Sequence, residues 1–115
     1  MRALSGQQVM VRIFFGESDR WKHRPLDVAL LERLRSEGFA GATVFRGIGG
    51  FGANSHIHTT HLLELSSDLP IVIEVVDTEE HVNRLMPILD EMLDDGLVTM
   101  EKVNVLRYTP AARSK

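Results

Sequence analysis

The chain has 115 residues, 43% of them apolar, with a formal net charge of -3 and a pI near 5.9. That size allows one ordinary domain with a small core, and the acidic balance argues against non-specific nucleic-acid binding, which needs a basic face. Without cysteine there is no disulfide framework, thiolate nucleophile or cysteine zinc site.

MRALSGQQ at the start has no apolar core of signal-peptide length, and no apolar run is long enough to span a bilayer. A cytoplasmic protein is expected. QQVMVRIFFGE then reads as a strand in which Val9, Val11 and Ile13 alternate with Met10, Arg12 and Phe14. A polar, basic loop follows, ESDRWKHR. Pro25 suits a first helical position, where its missing N–H costs nothing. Leu26, Leu30 and Leu34, with Ala29 and Leu31, form the apolar stripe of a helix that Gly38 can cap in a left-handed conformation.

GATVFRGIG is a second strand of β-branched and aromatic character. The run GIGGFGANSHIHTTH comes next, and HLLEL after it is a possible strand. IVIEVVD is apolar on both sides of Glu74, the pattern of a strand lying centrally in a sheet. Thr78 is a good N-cap, with Glu79 and Glu80 complementing the helix dipole. Val82, Leu85, Met86, Leu89, Met92 and Leu93 follow at helical spacing. Pro87 inside that helix predicts a kink near Asn83. LVTMEKVNVLRY is the last strand and TPAARSK a tail.

The order β-α-β, long loop, β-α-β has no internal linker and predicts one domain over residues 1–115, with its core at about 8–108 and a tail at 109–115. The simplest closed solution is α+β: a ferredoxin-like βαββαβ sandwich, an antiparallel sheet with two helices on one face and a long loop between strands 2 and 3. Right-handed crossovers give the spatial order 4-1-3-2 or a close relative. The uncovered apolar sheet face predicts a further subunit against it.

GIGGFG satisfies G-x-G-x-x-G at Gly47, Gly49 and Gly52, but no amphipathic helix follows, as a dinucleotide fold requires, and no lysine follows, as a phosphate-binding P-loop requires. The alternatives are a plain flexible turn or a loop whose bare backbone N–H groups wrap a ligand. His56, His58 and His61 lack a carboxylate and share no common strand face, so no metal is expected. Arg20, Lys22, His23 and Arg24 precede a helix N-terminus, where an anion-binding cluster and a solvated loop compete as readings. Trp21 marks either an interface or a cap on the core. No serine sits in a motif that activates a nucleophile, and Glu74 reads as a cross-sheet or subunit-contact partner rather than a base. Enzymatic activity is therefore not expected.

GESDRWKHRPL, GFAGATVFRGIGGFGANSHIH, LPIVIEVVD and LVTMEKV together resemble the family catalogued as domain of unknown function 190, over about Val9 to Val105. That family is similar in fold to the PII-like signalling proteins. The resemblance implies a homotrimer that binds a small effector between subunits, with a mobile loop acting on an enzyme or a membrane transporter such as a fluoride channel. It places strands 2 and 4 beside the intersubunit cleft. Arg46, Gly47, Gly49, Gly50, Gly52, His58, Lys102 and Arg107 are then the expected effector-binding residues, and Ile48 and Phe51 the partner-contacting ones. PII proteins proper carry a lysine-containing glycine loop before the last strand, whereas this chain has Asp94 and Asp95 there. Two carboxylates repel a triphosphate, so AMP or ADP is the expected effector rather than ATP. A small ferredoxin-like enzyme, a metal-binding protein and an RNA-binding domain are the competing readings. The last needs exposed aromatics on the central strands, and IVIEVVD has none, so no nucleic-acid partner is expected.

Overall fold

A computed structural model describes residues 2–51 and 68–110, together with the backbone of His58–Thr59. Strand β1 is Leu4–Gly16. Its alternation buries Val9, Val11, Ile13 and Phe15 on one face and leaves Met10, Arg12 and Phe14 half-buried on the other. Helix α1 is Leu26–Ser36, with Leu26, Ala29, Leu30 and Leu34 buried. Pro25 stands one position earlier than expected, as an extended N-cap with ψ 132°, because the Leu26 N–H is drawn to the Asp19 carbonyl at 2.9 Å. At the other end Gly38 takes φ +85°. The Phe39 N–H reaches the Leu34 carbonyl and the Gly38 N–H the Arg35 carbonyl, a Schellman cap that also turns Phe39 into the core.

Strand β2 is Ala42–Arg46 and β3 is Pro70–Asp77. Helix α2, Glu79–Asn83, is capped by the Thr78 hydroxyl, which accepts the His81 N–H at 3.1 Å. Helix α3 is Leu85–Met92. The break between them falls at Arg84, next to the predicted Asn83. Pro87 has no N–H for the Asn83 carbonyl, and the Arg84 N–H tightens onto the His81 carbonyl at 3.0 Å. Strand β4 is Leu97–Tyr108.

All pairings in the four-stranded sheet are antiparallel and the order is β2-β3-β1-β4, the predicted 4-1-3-2. The register sets Val11 beside Val75 and Ile13 beside Ile73, so one face of the sheet is a continuous apolar surface. Both helical segments pack there, with Leu30, Leu34, Val82, Leu85 and Leu89 against it. Each such fully buried aliphatic side chain contributes about 1.5–3 kcal/mol of transfer free energy. The opposite face carries Met10, Phe14, Val72 and Val76 half-buried and Phe45 and Leu97 exposed, around an ion pair of Arg12 with Glu74 at 3.0 Å. Glu74 is thus the cross-sheet partner expected of it.

Two short ribbons were not foreseen. Arg20–Trp21 pairs with Arg24–Pro25 through a turn in which Lys22 and His23 both take positive φ, 50° and 67°. Gly49–Gly50 pairs with His58–Thr59. HLLEL lies outside the described residues.

Candidate effector site at the root of the long loop

β2 ends at Arg46, level with the Gly16 end of β1, because Arg46 pairs with Ile71 and Ile71 with Phe15. The Gly47 N–H donates to the Pro70 carbonyl at 2.7 Å, which closes the root of the β2–β3 connection. Pro70 also explains two of the glycines. A Cβ at Gly47 would lie 3.2 Å from the ring, and one at Gly50, where φ is +153°, would lie 2.9 Å from it. Bare backbone is therefore needed there for packing, apart from any ligand. Gly49 and Gly50 enter a ribbon rather than a helix, so the G-x-G-x-x-G spacing has no dinucleotide-fold context. Ile48 and Phe51 are 77% and 72% exposed. Gly52, His56 and His61 lie outside the described residues, and His58 is described through its backbone only.

Lys102 and Arg107 are on β4, the opposite edge of the sheet. Lys102 is level with Val9, and Arg107 lies near the Leu4 end. One chain therefore does not bring them to Arg46. Two concavities, of about 650 and 420 Å³, adjoin the Gly38–Ala42 connection at the other end of the sheet, and neither is lined by any expected effector-binding residue.

Several carboxylates stand near the loop root. Asp68 accepts the Ser18 N–H and hydroxyl at 3.1 and 2.9 Å. Burial raises the Asp19 carboxyl above its ordinary range against the lowering effect of the Gly16 N–H, and Asp95, Asp68 and Asp94 push it further up. Asp94 and Asp95, just before β4, thus act on Asp19 at the same end of the sheet as Arg46.

The basic loop does not converge on an anion. Lys22 lies over the Trp21 ring at 4.6 Å, Arg24 pairs with Glu32 at 2.7 Å, and Trp21 packs on the core. No cluster of three or more potential metal ligands occurs among the described residues. One arrangement superficially suits hydrolysis: the Thr78 hydroxyl is 2.9 Å from His81 Nδ1, and Asp77 Oδ1 is 3.6 Å from the same nitrogen. A catalytic triad needs its hydroxyl and its acid on opposite ring nitrogens. Here both compete for Nδ1, and the hydroxyl is already the cap of α2.

Asp77 is the polar centre that pattern reading passed over. It is fully buried at the end of β3. Arg2 donates to both its oxygens at 2.8 and 2.9 Å, the Ala40 N–H to Oδ2 at 2.8 Å and the Thr78 N–H to Oδ1 at 2.7 Å. Burial pushes its pKa up, but these bonds outweigh burial and leave it below the ordinary carboxylate value. The available signal was a carboxylate at the position where the buried alternation Ile71, Ile73, Val75 calls for an apolar residue.

The sheet order, the single layer of helices on one face and the long β2–β3 connection define a PII-like fold. Two structures of CPII from Thiomonas intermedia K12 are similar to this chain. One, bound to ADP and bicarbonate, has a TM-score of 0.62 at 20% identity and covers 90% of this chain and 91% of its own. The other, bound to ADP, AMP and bicarbonate, has a TM-score of 0.64 at 15% identity over 91% of this chain and 99% of its own. The family model DUF190, described as Uncharacterized ACR, COG1993, matches residues 8–105, and the chain belongs to that family. A UPF0166 protein of Aquifex aeolicus (strain VF5) is 39% identical over 99 residues, covering 84% of this chain and 91% of the relative.

Proposed function

We propose that the protein is a PII-like regulatory module. It binds an adenine nucleotide, AMP or ADP rather than ATP, between the subunits of a homotrimer and reports through the β2–β3 loop. The observation that carries this reading is the division of the candidate cations between the two opposite edges of the sheet. Arg46 of one copy can meet Lys102 or Arg107 only where β2 of that copy approaches β4 of a neighbour. The helix-free face, with Phe14, Phe45, Val72 and Val76 incompletely covered, supports such a neighbour. The nucleotides bound to the two CPII structures support the ligand class.

In this reading Arg46, Lys102 and Arg107 hold phosphate oxygens, and the backbone of Gly47, Gly49, Gly50 and Gly52 closes around the ligand. Phe51 or His58 stacks on the base. Ile48 and Phe51 then move with the loop toward or away from a partner of the transporter or enzyme class. Ordering the loop opposes part of the contact energy, so affinity is on the order of micromolar. Native mass spectrometry of freshly purified protein reads subunit number and retained ligand together. Calorimetry with AMP, ADP and ATP then ranks the nucleotides. A monomer at micromolar concentration, or no nucleotide binding below about 1 mM, roughly -4 kcal/mol, overturns the proposal.

A further inference from the structure

The cation nearest the long loop is already occupied. After β1 the Glu17 N–H donates to the Leu69 carbonyl at 2.8 Å, and the Asp19 N–H closes a turn onto the Gly16 carbonyl at 3.0 Å. These two bonds fix Glu17 beside the end of β2. Its Oε2 forms an ion pair with Arg46, 2.7 Å from Nη2, with the Arg46 side chain 59% exposed and that of Glu17 28%. The second carboxylate oxygen, Oε1, is buried and meets no donor among the described residues. Arginine binds a carboxylate and a phosphate through the same planar fork, two parallel N–H donors to two oxygens. Glu17 engages that fork with one oxygen only, so it makes an incomplete version of an arginine–phosphate contact.

We propose that Glu17 is a built-in competitor for Arg46: it holds the guanidinium while the site is empty and yields it to the phosphate group of the effector. This rests on the nucleotide reading given above and adds the residue that sets its affinity. A phosphate monoester brings more charge and a full set of oxygens, so it displaces a carboxylate bound through one oxygen. The displaced Glu17 remains an anion in a neighbourhood that also holds Asp19, Asp68, Asp94 and Asp95. Each added phosphate therefore meets a steeper repulsion, and the loop root selects for low ligand charge.

A double-mutant cycle separates competition for Arg46 from a general field effect. AMP is titrated calorimetrically into the wild type, Glu17→Gln, Glu17→Asp, Arg46→Ala and the Glu17→Gln/Arg46→Ala double variant, with native mass spectrometry as a check on assembly. Glu17→Gln should tighten AMP by about 3–5-fold, the scale of a half-exposed ion pair. Glu17→Asp keeps the charge but is one methylene too short to reach Arg46, and it should tighten AMP as well. In the Arg46→Ala background Glu17→Gln should change affinity by less than about 2-fold.

If the wild type binds AMP and Glu17→Gln leaves binding unchanged or weaker, the role given to Glu17 is wrong and the nucleotide reading stands. The same follows if Glu17→Gln tightens binding equally with and without Arg46. If neither the wild type nor Glu17→Gln binds any nucleotide, both fall together.

Discussion

Replacing Asp77 with asparagine tests how the sheet end opposite the loop root is held together. The substitution keeps shape and removes charge. Oδ1 accepts from Arg2 and Thr78, and Oδ2 from Arg2 and Ala40. Whichever way the asparagine amide is oriented, its NH₂ faces two donors and deprives both of an acceptor. One of those two is always a backbone N–H, of Ala40 or of Thr78. An unsatisfied buried donor costs about 1–3 kcal/mol, and bonds to a charged acceptor lie at the upper end of the hydrogen-bond range. A total loss of about 2–4 kcal/mol follows, or roughly 8–17 °C in Tm for a chain of this size. Thermal unfolding followed by circular dichroism, at one fixed protein concentration, measures it.

The pH dependence supplies an independent check. The folded-state pKa of Asp77 lies below its ordinary value. Its stabilisation is therefore fully present above the unfolded-state pKa of about 3.9 and is lost as pH falls through the lower folded value. The gap between wild type and Asp77→Asn should narrow below about pH 4, where Asp77 takes up its proton. A gap under about 1 kcal/mol at neutral pH, or one that fails to narrow below about pH 4, refutes the account of Asp77 as an ionised acceptor.

Gly96→Ala should destabilise by about 2 kcal/mol or more, because φ there is +138° and the new Cβ would sit 2.5 Å from the Phe14 carbonyl oxygen. Urea unfolding gives the number, and a change within about 0.5 kcal/mol contradicts the steric argument. Chelation should leave Tm unchanged, since no metal is assigned a structural role. A large loss with EDTA that zinc restores would reinstate the histidine-cluster reading.

Local signals carried most of the fold. IVIEVVD was legible as a central strand because both faces of that segment are apolar, and it lies between β1 and β2. Pro87 and Gly38 announced a helix break and a helix end by mechanisms that act within a few residues. The site was less legible, for reasons of distance. Arg46 and Lys102 are equally plausible phosphate ligands in a sequence, and only the strand order puts them on opposite edges. Glu17 and Arg46 meet because two strand ends are adjacent, and nothing in either local sequence reports it. Asp77 needs Arg2, Ala40 and Thr78 to arrive from three segments before its burial makes sense. Lys22 and His23 gave no sign of a two-residue turn at positive φ, a position where Asn-Gly is the usual signature.

The strand order also imposes a schedule on the nascent chain. β1 is made first, yet it is an interior strand, flanked by β3 and β4, which are made later. Val9 must wait for Asp77 on one side and Lys102 on the other. At ~5–20 residues per second, those waits of 68 residues (77 − 9) and 93 residues (102 − 9) last on the order of 3–19 s. Until β3 emerges, α1 and β2 are the described elements of the main fold behind Val9, Val11, Ile13 and Phe15, and neither pairs with β1. Pairing at long sequence separation then delays completion further. Arg12, placed midway along this apolar strand, keeps one charge on it until Glu74 arrives, and a charge in such a run works against strand-to-strand association.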